Sequence, residues 1–130
     1  MSHPVEFLDL DDLIELARRL LGDPPPIRDV GLLASAIARP MTTVGGEDAY
    51  PTIWSKAGAL LQSIVDNHAL IDGNKRLGWL ATAVFLEVNG ASVVAATNDD
   101  VYDLVMAVAA SGSTIEAIAL KLEQLHEPRA

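Results

Sequence analysis

The stretch "HALIDGNKR" (residues 68–76) packs a histidine, an aspartate, a Gly-Asn pair and two adjacent cations between two long apolar segments. Upstream, Ile53, Ala57, Leu60 and Ile64 step by four, three and four, and one more step of four reaches position 68. This periodicity predicts a long helix, opened by Pro51 and Thr52, that carries His68 at its C-terminal end on the core-facing side. Downstream, Leu77, Trp79, Leu80, Ala81, Val84, Phe85, Leu86 and Val88 occupy nearly every side of a helix predicted over residues 74–89, with Gly90 placed to end it. A helix that is apolar all round is normally central and buried. The quoted stretch is therefore the joint between the two principal helices of the core.

Outward from this joint, the remaining segments also read as helices. Residues 9–21 place Leu10, Leu13, Ile14, Leu16, Ala17, Leu20 and Leu21 at helical spacing, with acids early and Arg18 and Arg19 late, which suits the helix dipole. "DPPP" then enforces an extended break, and Asp29 is placed to cap a short helix running to about Ala38 before Pro40. "MTTVGGEDAY" (residues 41–50) lacks a helical period and holds Gly45-Gly46, so a mobile loop or small hairpin is expected there. "ASVVAAT" (residues 91–97) reads as a short extended stretch. Two further helices are announced by capping-box spacings, Thr97 with Asp100 and Ser113 with Glu116. The expectation is an all-α bundle of about six helices around one buried central helix, with a short flap loop or hairpin, in a single domain over residues 1–130.

Composition narrows the chemistry. A chain of 130 residues buries roughly two-thirds of its unfolded surface and needs no covalent staple. There is no cysteine, which excludes disulfides, thiolate metal sites and a cysteine nucleophile. A net charge of −9 with only nine Lys and Arg argues against direct DNA binding, whose affinity comes mostly from phosphate neutralisation. "MSHPVEFLDLDD" has neither the basic nor the apolar region of a secretory signal, and the longest apolar run, "LVMAVAA", falls far short of the ~20 residues that span a bilayer. A cytoplasmic protein without membrane attachment is expected.

At the joint, Gly73 and Asn74 tolerate left-handed backbone geometry and are candidates for a nest of N–H groups. Those groups, the helix N-terminus behind them and the side chains of Lys75 and Arg76 would direct positive character at one volume, and phosphate suits it best. Asp72 brings opposite charge to the same place, which makes sense if it holds Mg²⁺ shared with a di- or triphosphate. His68 carries the imidazole, the side chain best suited to exchanging protons near neutral pH. Simpler readings compete. His68 can be a core residue satisfied by a carbonyl, and Asp72 can be an ordinary helix cap. Trp54 and Trp79 fall on helix stripes and are expected in the core. A zinc site on His68 and Asp72 is disfavoured because His3 and His126 lie near the chain ends. Cations in a first helical turn oppose the dipole, and a bound anion removes that conflict.

"HALIDGNKR" resembles the signature of the Fic/Doc superfamily: His, any residue, Phe, any residue, Asp or Glu, Gly, Asn, Gly or Lys, Arg. Lys75 matches the Doc branch, the death-on-curing toxins. Arg39-Pro40, "AYPTIWSKAGALLQSIV" and "FLEVNG" extend the likeness over nearly the whole chain. Leu70 stands in place of the usual Phe, Ala69 of the frequent Pro and Leu77 of the usual Thr. Trp79 occupies the position where Fic enzymes carry a second arginine.

The resemblance implies that His68 activates a target hydroxyl, that Asp72 holds Mg²⁺, and that Gly73, Asn74, Lys75 and Arg76 cradle nucleotide phosphates. It implies the toxin of a type II toxin–antitoxin system, a protein kinase that transfers the γ-phosphoryl group of ATP to a Ser or Thr of a translation factor, elongation factor Tu being the known type of target. AMP transfer in the Fic manner and a catalytically silent binding protein are the alternatives. The flap Val44, Gly45, Gly46, Glu47 and Asp48 lies where the family docks its target. Self-inhibited Fic proteins carry Ser or Thr, three residues, Glu, then Gly or Asn. Ser2 with Glu6 and Thr43 with Glu47 have the spacing, but Phe7 and Asp48 follow them. The resemblance thus implies inhibition in trans by an antitoxin of the Phd type.

Overall fold

The computed structural model describes residues 4–126. The chain runs through α1 (Leu10–Leu21), α2 (Val30–Ala38), a 3-10 turn (Arg39–Met41), β1 (Thr43–Val44), β2 (Glu47–Asp48), α3 (Ile53–Asn67), α4 (Asn74–Val88), α5 (Asn98–Ala109) and α6 (Ile115–Leu125). The expected all-α bundle of six helices with a small flap is the architecture found.

Local signals explain most of the boundaries. The Asp9 carboxylate accepts from the backbone N–H of Asp12, whose side chain accepts in return from Asp9 N–H, closing a capping box on α1. Asp29 caps α2 through Leu32 N–H, and Thr52 caps α3 through Ser55 N–H. Thr97 opens α5 as expected. The last helix starts one residue later than the spacing implies: Thr114 is its cap, accepting from Ala117 N–H, while the Ser113 hydroxyl donates to the carbonyl of Ala107. Residues 91–97 form a turn-containing loop and no strand.

The central helix is α3, not the helix of residues 74–89. Lys56, Ala57, Gly58, Ala59, Leu60, Leu61, Ser63, Ile64 and Val65 are all buried, and α2, α4, α5 and α6 pack around it. Small residues make this possible. A Cβ added at Gly58 would lie 3.3 Å from the carbonyl oxygen of Ile115, so α6 approaches nearly to backbone contact. On the other side, a Cβ at Gly78 would lie 3.0 Å from Val65, which seats α4 closely against α3. α4 itself buries Leu77, Gly78, Ala81, Thr82, Phe85 and Leu86 but leaves Glu87 and Val88 exposed and Trp79 half-buried. Its apolar circumference reflects neighbours on several sides, with one flank left at the surface. Trp54 is also only half-buried, its ring 5.5 Å from that of His126.

The flap is a two-residue hairpin turned by Gly45 (φ +60°) and Gly46 (φ +84°), with Thr43 opposite Asp48 and Val44 opposite Glu47. Two consecutive left-handed residues match the twist of the flanking strands, which is why the Gly-Gly pair is needed. All four strand residues are exposed. The hairpin is tied down at its base. The ammonium of Lys56, buried in α3, donates to Asp48 Oδ2 at 3.0 Å and to the carbonyl of Tyr50. Arg39 donates to the Tyr50 hydroxyl, to Gln62 and to Ser63.

No helix among the described residues is long and apolar enough to cross a membrane.

Candidate active site at the joint of the two principal helices

α3 ends at Asn67, and His68 takes a left-handed conformation (φ 52°, ψ 45°) just beyond it. The apolar stripe therefore does not continue through position 68. The reversal of backbone direction turns His68 outward, and its side chain is exposed rather than core-facing. Its carbonyl accepts from the guanidinium of Arg28. Ala69 and Leu70 carry the burial instead, each 2% exposed, and Leu70 is the apolar anchor of the turn.

The turn that follows is held from both sides. The segment after the prolines straps it from outside: Arg28 N–H and Asp29 N–H both donate to the Ala69 carbonyl, at 2.8 and 3.0 Å, and Ile71 N–H donates to that of Pro26. Ile27 and Leu70 form an isolated antiparallel bridge. From inside, the Asn74 side chain closes on the Leu70 backbone, Oδ1 accepting from its N–H and Nδ2 donating to its carbonyl, both at 3.0 Å. The side chain of Asn74 is thus committed to shaping the turn. Gly73 adopts φ +90°, and a Cβ there would come within 2.7 Å of Leu21. Only glycine satisfies both the backbone and the space.

The N-terminus of α4 has no side-chain cap. Asp72 does not serve as one: its Oδ1 accepts from Gly73 N–H at 2.9 Å, and its Oδ2 lies 3.9 Å from Arg76 Nη2. That pair is solvent-exposed and contributes little to stability. The expected nest of N–H groups is correspondingly smaller. Gly73 N–H is turned to Asp72 and Asn74 is already helical, which leaves the unpaired N–H groups of the first turn of α4 as the backbone donors.

His68, Asp72, Gly73, Asn74, Lys75 and Arg76 line one cleft of about 400 Å³, closed by Val65, Ile71 and Ala109. The cleft therefore holds an imidazole, a carboxylate, two cations and an uncapped helix N-terminus. Val44, Gly45, Gly46, Glu47 and Asp48 do not line it, so the hairpin stands apart from this chemistry. Among the described residues, Asp72 is the only carboxylate lining the cleft. No three His, Cys, Asp or Glu residues gather as a metal cluster among the described residues. A cation at Asp72 would accordingly draw most of its ligands from phosphate and water, which suits Mg²⁺. His3 and Ser2, named above for a zinc site and an inhibitory helix, lie outside the described residues.

Three features escaped the sequence reading. Arg28 reaches the His68 carbonyl, Lys56 is buried beneath the hairpin, and Trp79 lines an open cleft with Tyr102 instead of filling the core. Lys56 had a visible signal, since it is a lone cation beside the apolar run "AGALL".

The model of the Fic/DOC family matches residues 7–86, from the strand-free N-terminal segment through most of α4. The chain is also 45% identical over 118 residues to a protein of Mycolicibacterium smegmatis named Toxin Doc, a match spanning 90% of this chain and 91% of that protein. With the joint, the turn, all of α3 and most of α4 inside the matched region, the chain belongs to the Fic/Doc family.

Proposed function

We propose that this protein is a Doc-like toxin: a protein kinase that uses ATP and Mg²⁺ to phosphorylate a Ser or Thr hydroxyl of a translation factor, elongation factor Tu by resemblance, under the restraint of a Phd-type antitoxin. The observation that carries the reading is the meeting of His68, Asp72, Lys75 and Arg76 at the uncapped start of α4 in a single cleft. Phosphoryl transfer is mainly positioning and electrostatic stabilisation, and this set has the required parts. The N–H groups of the first turn and the cations Lys75 and Arg76 hold the phosphates. His68 takes the proton of the target hydroxyl as its oxygen bonds to the γ-phosphorus, and the bond from that phosphorus to the β-bridging oxygen breaks to release ADP. Asp72 would hold Mg²⁺, which neutralises phosphate charge when bound. The exposed hairpin offers an unpaired strand edge for an extended target segment.

The test is to incubate the protein with a purified translation factor and ATP labelled at either the α or the γ phosphate. Label from the γ position is expected on the target. Retention of α label would mean AMP transfer and overturn the kinase reading. His68→Ala is expected to lower transfer by about 10²–10⁴, with unchanged circular dichroism because the side chain is exposed. Growth arrest that survives this change would indicate a binding mechanism.

A further inference from the structure

Among the described residues, the capping residue at the C-terminal end of α1, α2, α4, α5 and α6 donates its backbone N–H into the last turn of its own helix, and that of α3, His68, does not. A left-handed residue at a helix end is ordinarily held by such local bonds and is ordinarily glycine. His68 has neither support, so its conformation is fixed from outside the helix. The source is the segment after the prolines. Arg28 N–H donates to the Ala69 carbonyl at 2.8 Å, and the Arg28 guanidinium turns back one residue to donate to the carbonyl of His68. Cations suit the carbonyl-bearing end of a helix. Arg28 makes no ion pair among the described residues, and its guanidinium is committed to this carbonyl.

We infer that Arg28 is a positioning residue for His68: its guanidinium holds the His68 peptide so that the imidazole faces the cleft of residues 72–76. The inference rests on the reading of His68 as the base in that cleft. Because His68 O and Ala69 O are both bound by Arg28, the peptide planes on either side of Ala69 are pinned to one rigid strap, and the ψ of His68 is fixed. The side chain is thereby directed into the volume it shares with Asp72, Lys75 and Arg76. Without the guanidinium this peptide regains its freedom. The left-handed conformation is the costly one for a residue with a Cβ, so His68 relaxes out of it and swings the imidazole from the cleft. Buried Ala69 and Leu70 still anchor the turn, and Lys75 and Arg76 belong to α4. Loss of Arg28 therefore separates placement of the base from binding of phosphate. A displacement of about 1 Å at a reacting group is enough to lower a rate about 10²-fold.

The experiment compares the full chain with Arg28→Met and Arg28→Lys, by NMR without ligand and by transfer of γ-phosphoryl label to a purified translation factor. In the parent, a strong cross-peak between the amide proton and Hα of His68 marks its positive φ. This signal is expected to weaken in Arg28→Met and to persist in Arg28→Lys, since a single carbonyl needs a cation but not the planar fork of arginine. In the transfer assay, Arg28→Met is expected to lower kcat about 10- to 100-fold with KM for ATP within about twofold of the parent, and Arg28→Lys to recover most of that loss. Circular dichroism is expected to be unchanged in both, because Arg28 is exposed. An unchanged His68 signal in Arg28→Met overturns the positioning role. So does a rise in KM that accompanies an equal loss of kcat, or an Arg28→Lys variant no better than Arg28→Met in either measurement. Failure of the parent to transfer label removes the kinase reading, and the NMR comparison then decides on its own whether Arg28 holds the histidine.

Discussion

His68 and Gly73 both stand in the left-handed region of backbone space, at φ 52° and φ 90°, yet one bears a side chain and the other cannot. A side chain in that region costs roughly 1–2 kcal/mol, and helices commonly place glycine at such an end. Retention of histidine at this position is physically expensive and fits a chemical task better than a structural one. His68→Gly is therefore expected to raise unfolding stability by roughly 1 kcal/mol while removing transfer, as read by urea denaturation alongside labelled-phosphate assay. A variant less stable than the parent would contradict the strain argument. Gly73→Ala should act in the opposite sense. It meets both the left-handed penalty and the Leu21 side chain at 2.7 Å, and a loss of roughly 1–3 kcal/mol is expected in the same measurement.

α3 is the element that relates the flap to the cleft. Near its start, buried Lys56 holds the hairpin through Asp48 and Tyr50; at its end it delivers His68. The hairpin has no other core of its own, since both strands are exposed on every residue. Lys56→Met keeps the length and removes the donors. Asp48 is half open to solvent and can be rehydrated, so global stability is expected to change little. The amides of residues 43–50 should exchange with deuterium at least about tenfold faster, because their opening would no longer pull Asp48 and Tyr50 away from the buried Lys56 ammonium. Unchanged protection would show that Arg39 and Tyr50 suffice to hold the flap. Replacement of "VGGED" by a shorter linker is expected to weaken target modification while nucleotide binding persists; equal loss of both would count against a docking role.

At the scale of the whole molecule, the site depends on how closely α4 seats against α3. Leu61 is fully buried and lies at that contact, within reach of the position a Cβ would take at Gly78. Leu61→Ala should cost about 2–5 kcal/mol by chemical denaturation. A smaller loss would mean that the helices close over the vacated space, which would also shift α4 and lower nucleotide affinity. Most helices of this arrangement were legible in the chain: apolar spacing with acids early and arginines late announces α1, Asp29, Thr52 and Thr97 open the helices that follow them, and Gly45-Gly46 announces the hairpin. The start of α6 was displaced by one residue because Ser113 and Thr114 compete as caps, and the carbonyl of Ala107, brought near by α5, takes the serine.

By itself the sequence determined the helices, the flap and the residues that meet at the joint, because capping, glycine geometry and helical period act within a few residues of the chain. "HALIDGNKR" was legible as chemistry for the same reason: its six polar or glycine residues need only a turn between two helices to come together. The tertiary structure alone decided that α3 is the central helix, that His68 faces solvent and that Trp79 borders an open cleft. These are matters of which neighbours fill which side. A stripe of apolar residues is silent on that, and so is any local signal for Arg28 at the His68 carbonyl, a partner forty residues away in the chain.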